Sequence, residues 1–450
     1  MADSDFSDSP GYYDMEDSDS EGHEASTSKF IQRDEPIPLL TYDEEAREYV
    51  MGTEAYDFFK SLSGPIGIIA VAGLYRTGKS YLLNRMLLDR ASGFGVGPTI
   101  NPCTKGMWVW GRAIPGTSVN GDPCQILIMD TEGLGALDED SNHDCRIFSL
   151  AVLTSSSFIY NSVGSIDENA LQNLSLIVNL TSHIHVKTKQ GDEADCDDYS
   201  AHFPTFTWIV RDFVLQLTDS EGEPITPKDY LERALQPQKG YSDSAEEKNR
   251  IRRLLMNFFK DRDCITLVRP TTEEEDLQNL ADKPFSMLRP EFQEQVMQLR
   301  SKLMGRIRIK CMNGKPLNGE MYASLVENYI KAVNSGIVPN IENAWTYICQ
   351  GECKKAYKEA MAKYDRILLG SVQHRLPISE EELKLLHKEA KEAAFDHFEL
   401  KAVGEEKEGY LRDLQVNITQ KITNLKAENE DEAERACKMF LEENYRTIDG

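Results

Sequence analysis

One octapeptide sets the limits on how this chain can fold. Gly73-Leu74-Tyr75-Arg76-Thr77-Gly78-Lys79-Ser80 fits G-x-x-x-x-G-K-[ST], the phosphate-binding loop. The apolar run Ile66 to Ala72 leads into it, as a buried parallel strand would, and Ser80 to Leu88 leaves it with helical spacing. A strand, a glycine turn and a helix start aim backbone N–H groups and the helix dipole at one point, where polyphosphate fits. Tyr75, Arg76, Thr77, Gly78, Lys79, Ser80 and Tyr81 are therefore candidate nucleotide contacts. Lys79 would neutralise the outer phosphates, and the Ser80 hydroxyl would ligate Mg2+. Such a loop belongs in an α/β fold.

A second apolar strand, Gln125 to Met129, ends in Asp130-Thr131-Glu132-Gly133. An apolar strand closed by Asp-x-x-Gly, about fifty residues beyond a P-loop, suits a second phosphate-side segment. Asp130 would hold the metal, and the Gly133 N–H would meet the γ-phosphate. A third buried strand, Phe206 to Val210, ends in Arg211-Asp212. The N-K-x-D motif that reads guanine in many small GTPases is absent from the chain, but a carboxylate at this strand end can do the same work. Guanine offers two parallel N–H donors to one carboxylate, whereas adenine presents a lone pair at N1. Arg211 and Asp212 are thus candidate base-side contacts. Cys264 to Pro270 supplies a further strand and loop on that edge, with Arg269 where a base pocket would close.

The remaining sequence places this unit within a larger chain. Of 450 residues, 40% are hydrophobic and 28% charged, as in a globular protein with room for two domains. Lys and Arg number 50 against 75 Asp and Glu, a net charge of −25 that disfavours nucleic acid and anionic membranes as broad partners. No apolar run is long enough to span a bilayer, and no signal peptide opens the chain. The nine cysteines are scattered without a C-x-x-C pair, which suggests free thiols in a reducing compartment, the cytoplasm or nucleus.

Residues 1–35 are rich in Asp, Glu and Ser and read as a disordered acidic tail, with Ser18-Asp19-Ser20-Glu21 suited to an acid-directed kinase. Residues 36–312 alternate strands and helices, predicting a mainly parallel sheet with helices on both faces. Helical stripes are expected over Ile147–Leu153 and Asp167–Leu180, while His183 and His185 read as surface or structural groups. Residues 313–450 read as an all-α helical domain: one helix over Met321–Val333, one opened by a capping box at Ser379, and two more near 406–426 and 430–444.

Taken together, Gly73 to Ser80, Thr104-Lys105-Gly106, Asp130 to Gly135 and Val210-Arg211-Asp212-Phe213 resemble the guanylate-binding proteins, large dynamin-related GTPases with the atlastins as cousins. Asn161 to Ile166, Ser324 to Tyr329 and Ala332 to Gly336 are similar to that family too, and the likeness covers about residues 40–400. The resemblance implies an α/β P-loop GTPase domain followed by a helical middle domain, with GTP as substrate and Mg2+ as cofactor. It implies that Arg76 is a built-in arginine finger, engaged when two GTPase domains meet as a homodimer, and that Thr104 ligates Mg2+. Arg76, Lys79, Thr104 and Glu132 then form the candidate catalytic set, and Ser80, Thr104 and Asp130 the metal set. It implies dimer-stimulated turnover to GDP, in some members to GMP, driving self-assembly in innate immune defence.

Two departures stand out. Pro102 occupies the place where the family usually carries a serine that helps position the attacking water, which bears on rate and on GMP formation. The C-terminus carries no prenylation box, and the family's long effector helix is missing, so the chain reads as a short member or a piece of a longer one. An alternative reading follows: a slow-turnover, nucleotide-gated interaction protein that switches on GTP binding.

Overall fold

The computed structural model describes residues 32–96, 104–135, 141–175, 203–238, 243–336, 341–372 and 375–448. Its centre is a sheet formed by β1 (Pro36–Asp43), β2 (Glu48–Met51), β3 (Ile66–Ala72), β4 (Met107–Trp110), β5 (Ile114–Thr117), β6 (Pro123–Thr131), β7 (Ser157–Val163), β8 (Thr205–Arg211) and β9 (Arg262–Thr266), in the order β2-β1-β4-β6-β3-β7-β8-β9, with β5 also paired to β6. β6, β3, β7, β8 and β9 run parallel, whereas β1, β2, β4 and β5 add antiparallel pairings at the other side. The sheet is therefore mixed, with a parallel majority. A hairpin, β10 (Cys311–Met312) with β11 (Lys315–Pro316), lies apart.

Period-two alternation divides the core between the two faces. Along β3, Ile66, Ile68, Ala70 and Ala72 face one side, where α1 (Thr53–Ser61) supplies Phe58 and Phe59 and α3 (Ser141–Thr154) supplies Phe148. Ile69 and Val71 face the other, against Leu82, Leu83 and Met86 of α2 (Lys79–Met86) and Phe292 and Val296 of α8 (Pro290–Met304). Strands buried on both sides must be apolar throughout, which is why these runs are readable in the sequence. Four further helices cover this unit: α4 (Glu168–Gln172), α5 (Pro227–Ala234), α6 (Asp243–Phe258) and α7 (Glu274–Gln278). The expected helix over Asp167–Leu180 begins as α4, capped by Asp167, but ends at Gln172 in a turn through Ser175; residues 176–180, with His183 and His185, lie outside the described residues.

The inner end of the acidic tail is not free. Arg33 N–H donates to Gly111 O, Gly111 N–H donates to Glu35 O, and Asp34 pairs with Arg90 and Arg112. Four residues of the span read as disordered thus lie along β4, because their backbone continues its pairing. Ser18 to Glu21 lie outside the described residues.

α9 (Gly319–Asn334) packs Tyr322, Leu325, Val326 and Tyr329 into the same core as α1 and α3, with Tyr322 edge-on to Phe59. α10 (Ile341–Val372) starts in that core with Ile341, Ala344 and Ile348, and from Cys353 onward packs with α11 (Glu380–Lys401) and α12 (Lys407–Ile448) in a bundle with its own core. Ala356 and Ala360 of α10 and Ala390 and Ala394 of α11 are fully buried; their small side chains let the two axes approach closely. Ser379 caps α11 as its sequence suggests, accepting from Glu382 N–H.

The two helices expected near 406–426 and 430–444 are one, the 42-residue α12. No Gly or Pro interrupts Lys407 to Ile448 except Gly409 in the first turn, so nothing in the chain stops the helix. Among its described side chains Leu425 is the last that is buried. Among the described residues no helix is long and apolar enough to cross a membrane, and Cys124, Cys264, Cys311, Cys349, Cys353 and Cys437 are free thiols.

Candidate functional site

Chain order reverses at β3, whose neighbours β6 and β7 lie on opposite sides, and such a switch point leaves a crevice beyond the strand ends. The P-loop fills it. Gly73 (φ 149°) leaves no room for a side chain, since a Cβ would sit 2.1 Å from Asn161 O. Arg76 and Gly78 adopt left-handed backbone at φ 61° and 74°.

The loop's carbonyls are tied from behind. The buried Arg211 guanidinium donates through Nη1 to Thr77 O (3.1 Å) and Gly78 O (3.0 Å), and Asn161 Nδ2 also donates to Thr77 O (3.1 Å). Because C=O and the following N–H point opposite ways across a trans peptide, Gly78 and Lys79 N–H are turned towards the open side. Lys79 Nζ donates to Leu74 O at 3.2 Å. Burial lowers the lysine's proton affinity against the pull of Asp130, Glu132 and Asp144.

Gly78 cannot take a methyl group: a Cβ would lie 2.4 Å from Arg211 Nη1, at a φ that disfavours side chains. Gly78→Ala is expected to displace Arg211 and weaken nucleotide binding by about fivefold or more, as backbone strain of roughly 1–3 kcal/mol would produce. Titration with a fluorescent GTP analogue measures this, and unchanged affinity would contradict the tie.

A cavity of about 530 Å³ opens over the loop, within the size range of a nucleotide site. Tyr75, Arg76, Thr77, Gly78, Lys79, Ser80, Tyr81, Thr104, Gly133, Arg211 and Asp212, all expected from the sequence, line it. At its floor Ser80 Oγ donates to Asp130 Oδ2 (2.5 Å), and Thr104 Oγ1 donates to the same oxygen (3.3 Å). Asp130 is fully buried, and its Oδ1 has no hydrogen-bond partner. Burial raises its pKa, with Lys79, Ser80 and Thr104 acting in the other direction. One carboxylate with an unused buried oxygen, and two hydroxyls that meet at its other oxygen, fit a Mg2+ site completed by phosphate oxygens. Among the described residues no three or more His, Cys, Asp or Glu are grouped so as to hold a metal ion, and this donor set needs no such group.

Asp212 stands at the end of β8 with left-handed backbone (φ 52°), and its Oδ1 is buried without a partner. A buried acceptor without a donor is costly unless a ligand supplies one. Arg269, by contrast, does not line the cavity. That wall is formed by Leu277 to Asp282, a segment with no sequence motif, fastened to α2 by Arg85 donating to Ala281 O and Lys283 O. Arg85 is the available clue: a cation in the last turn of α2 that can reach carbonyls.

Gly133 meets the P-loop closely: a Cβ there would lie 2.3 Å from Tyr75 Cα, Tyr75 N–H donates to Leu134 O, and Leu134 N–H donates to Gly73 O. Glu132 departs from expectation. Its side chain does not line the cavity; Oε2 accepts from Gly106 N–H (2.7 Å) and lies 3.2 Å from His143 Nε2. It braces the Thr104–Gly106 segment instead of reaching the cavity. Pro102 lies outside the described residues.

A P-loop at a sheet's switch point, facing a carboxylate at the next strand end, defines a P-loop nucleotide-binding domain, here joined to a helical bundle. The model of the guanylate-binding protein N-terminal domain matches residues 46–311, and that of the guanylate-binding protein C-terminal domain matches 313–449. The chain belongs to the guanylate-binding protein family, which comprises large GTPases. It is 35% identical to guanylate-binding protein 7 of Mus musculus over 410 residues, 90% of this chain and 63% of that protein. It is 32% identical to guanylate-binding protein 2 of Homo sapiens over 419 residues, 92% of this chain and 69% of that one. The chain thus spans less than two thirds of the mouse relative's length.

Proposed function

We propose that the chain is a Mg2+-dependent GTPase that hydrolyses GTP to GDP and turns over faster when two copies meet through their nucleotide faces. The observation that carries this reading is the two-ended cavity, with a phosphate cradle at Gly78–Ser80 and the unpartnered Asp212 carboxylate oxygen beyond it. Gly78 and Lys79 N–H and the Lys79 ammonium bind and orient the phosphates, and Asp212 selects guanine through its N1–H and N2–H. Ser80, Thr104 and Asp130 would hold Mg2+, which supplies positive charge to the β- and γ-phosphate oxygens. Arg76, exposed at the cavity's edge, serves as the cation that a second copy presses onto the transferring phosphate. Homodimerisation, self-assembly and a role in host defence follow from the family resemblance. The boundaries 36–312 and 313–450 serve as the working division into a GTPase and a helical domain.

The slow-turnover switch is favoured by one observation: Glu132 is engaged by Gly106 and His143 and does not line the cavity. Incubation with Mg2+ and GTP or ATP at several protein concentrations, followed by separation of the products, decides between the readings. GTP-selective turnover that climbs with protein concentration supports the dimer-activated enzyme. Tight GTP binding with almost no product supports the switch, equal use of ATP overturns the guanine assignment, and a GMP peak shows that Pro102 permits the second cleavage.

A further inference from the structure

The Glu132 carboxylate belongs to a longer chain of polar contacts. Glu132 grips Gly106 at two points, accepting from its N–H through Oε2 (2.7 Å) and donating its own N–H to Gly106 O (2.8 Å). Behind it, His143 Nε2 lies 3.2 Å away, and His143 Nδ1 lies 2.8 Å from the Tyr49 hydroxyl. Tyr49, on β2, is held in turn by Asn334, the last residue of α9: Tyr49 N–H donates to Asn334 Oδ1 and Asn334 Nδ2 donates to Tyr49 O, both at 2.8 Å. The Tyr49 ring is buried, and Tyr42 packs edge-on against both Tyr49 and His143.

The donors and acceptors fix a direction along this chain. Glu132 Oε2 accepts from the Gly106 amide and faces His143 Nε2, so the same carboxylate oxygen meets both groups. In the tautomer that carries its proton on Nε2, facing that oxygen, His143 Nδ1 accepts from Tyr49 O–H. The polarity runs from Tyr49 O–H to His143 to Glu132, which accepts from the Gly106 amide two residues beyond Thr104. Gly106 itself has no slack: its φ is 69°, and a Cβ would lie 2.1 Å from Leu40 O.

We propose that His143 and Tyr49 are positioning residues for the Thr104–Gly106 segment, and that Asn334 ties their setting to the end of α9. The proposal rests on the GTPase reading for its consequence in turnover, but not for its geometry. A hydroxyl and an imidazole that fix the direction of one carboxylate fix the amide it binds, and hence the candidate metal ligand two residues away. Coupling is reciprocal, so a shift at the end of α9 would be felt at Thr104.

Amide hydrogen exchange of the peptide containing Gly106 tests this directly, with GDP bound. His143→Ala is expected to speed exchange there about tenfold and Tyr49→Phe about threefold, while His143→Gln, whose amide can still donate to Glu132, restores most of the protection. Tyr49→Phe keeps the buried ring, so its melting temperature should stay that of the parent. Asn334→Ala, which does not line the cavity, should speed exchange at Gly106 as well. In single-turnover assays the first two variants should lose rate about fivefold with the half-saturating concentration within twofold. Unchanged Gly106 exchange in His143→Ala overturns the proposal, as does a Tyr49→Phe effect that persists in full when His143 is already Ala. A wild-type protein that does not hydrolyse GTP would count against the GTPase reading alone, and the exchange result would still decide this one.

Discussion

Arg76→Ala is expected to lower GTP turnover by about 10³–10⁵, the range for losing a transition-state arginine, while changing GTP affinity less than tenfold. Arg76 sits within the phosphate cradle yet is exposed, and it takes part in no ion pair among the described residues. Its left-handed backbone, φ 61°, costs roughly 1 kcal/mol for a residue with a side chain, so the loop dictates where the guanidinium begins. A cation without a counter-ion beside a phosphate site stabilises charge that appears only as the γ-phosphoryl group leaves, and a ground-state complex gains little from it. Single-turnover hydrolysis across a range of protein concentrations measures the effect. The variant should also lose the rise in specific activity with concentration; a rate equal to that of the parent would move Arg76 out of the reaction.

Asp212→Asn should weaken GTP binding by about 10²–10³, because two hydrogen bonds to a charged acceptor, roughly 1.5–3 kcal/mol each before partial compensation, are replaced by one acceptor and a mispaired amide. Specificity should move as well. Xanthine carries a carbonyl where guanine carries its 2-amino group, so the introduced side-chain amide would donate to it, and XTP should gain where GTP loses. Competition against a fluorescent GTP analogue, with ATP as a control, reads both changes. The prediction rests on the buried, unpartnered Asp212 Oδ1. GTP affinity unaffected by the amide would show that the base is read elsewhere.

The parts of the fold that can be read from sequence are those whose signal is local. β3 with its P-loop, β6 with Asp130 and β8 with Arg211-Asp212 each combine a doubly buried apolar run with polar residues at the strand's end. β2 and β5 escape notice because four residues such as Glu48-Tyr49-Val50-Met51, or a strand containing Pro115 and Gly116, become strands only through the neighbour they pair with. Roles that depend on distant partners are hidden in the same way. Arg211 is legible as a residue of the site, but its hold on carbonyls 133 and 134 positions earlier is not. Glu132 sits in a recognisable motif, yet its direction is set by His143, Gly106 and, at one remove, Tyr49. The wall at Leu277–Asp282 carries no pattern at all, since a loop that closes a pocket needs only the right length and a fastening such as Arg85.

The bundle has a mechanical consequence. Asn429 of α12 still binds the bundle, accepting from Ile378 N–H and donating to Ile378 O, and the helix continues from there to Ile448. At 1.5 Å per residue that run is about 28 Å long. It therefore works as a pointer whose pivot lies in the packing of α10, α11 and α12, and a tilt of about 10° at the pivot would carry Ile448 about 5 Å. A small rearrangement among the alanines that join α10 and α11 would thus become a displacement large enough to make or break contact with whatever meets the far end.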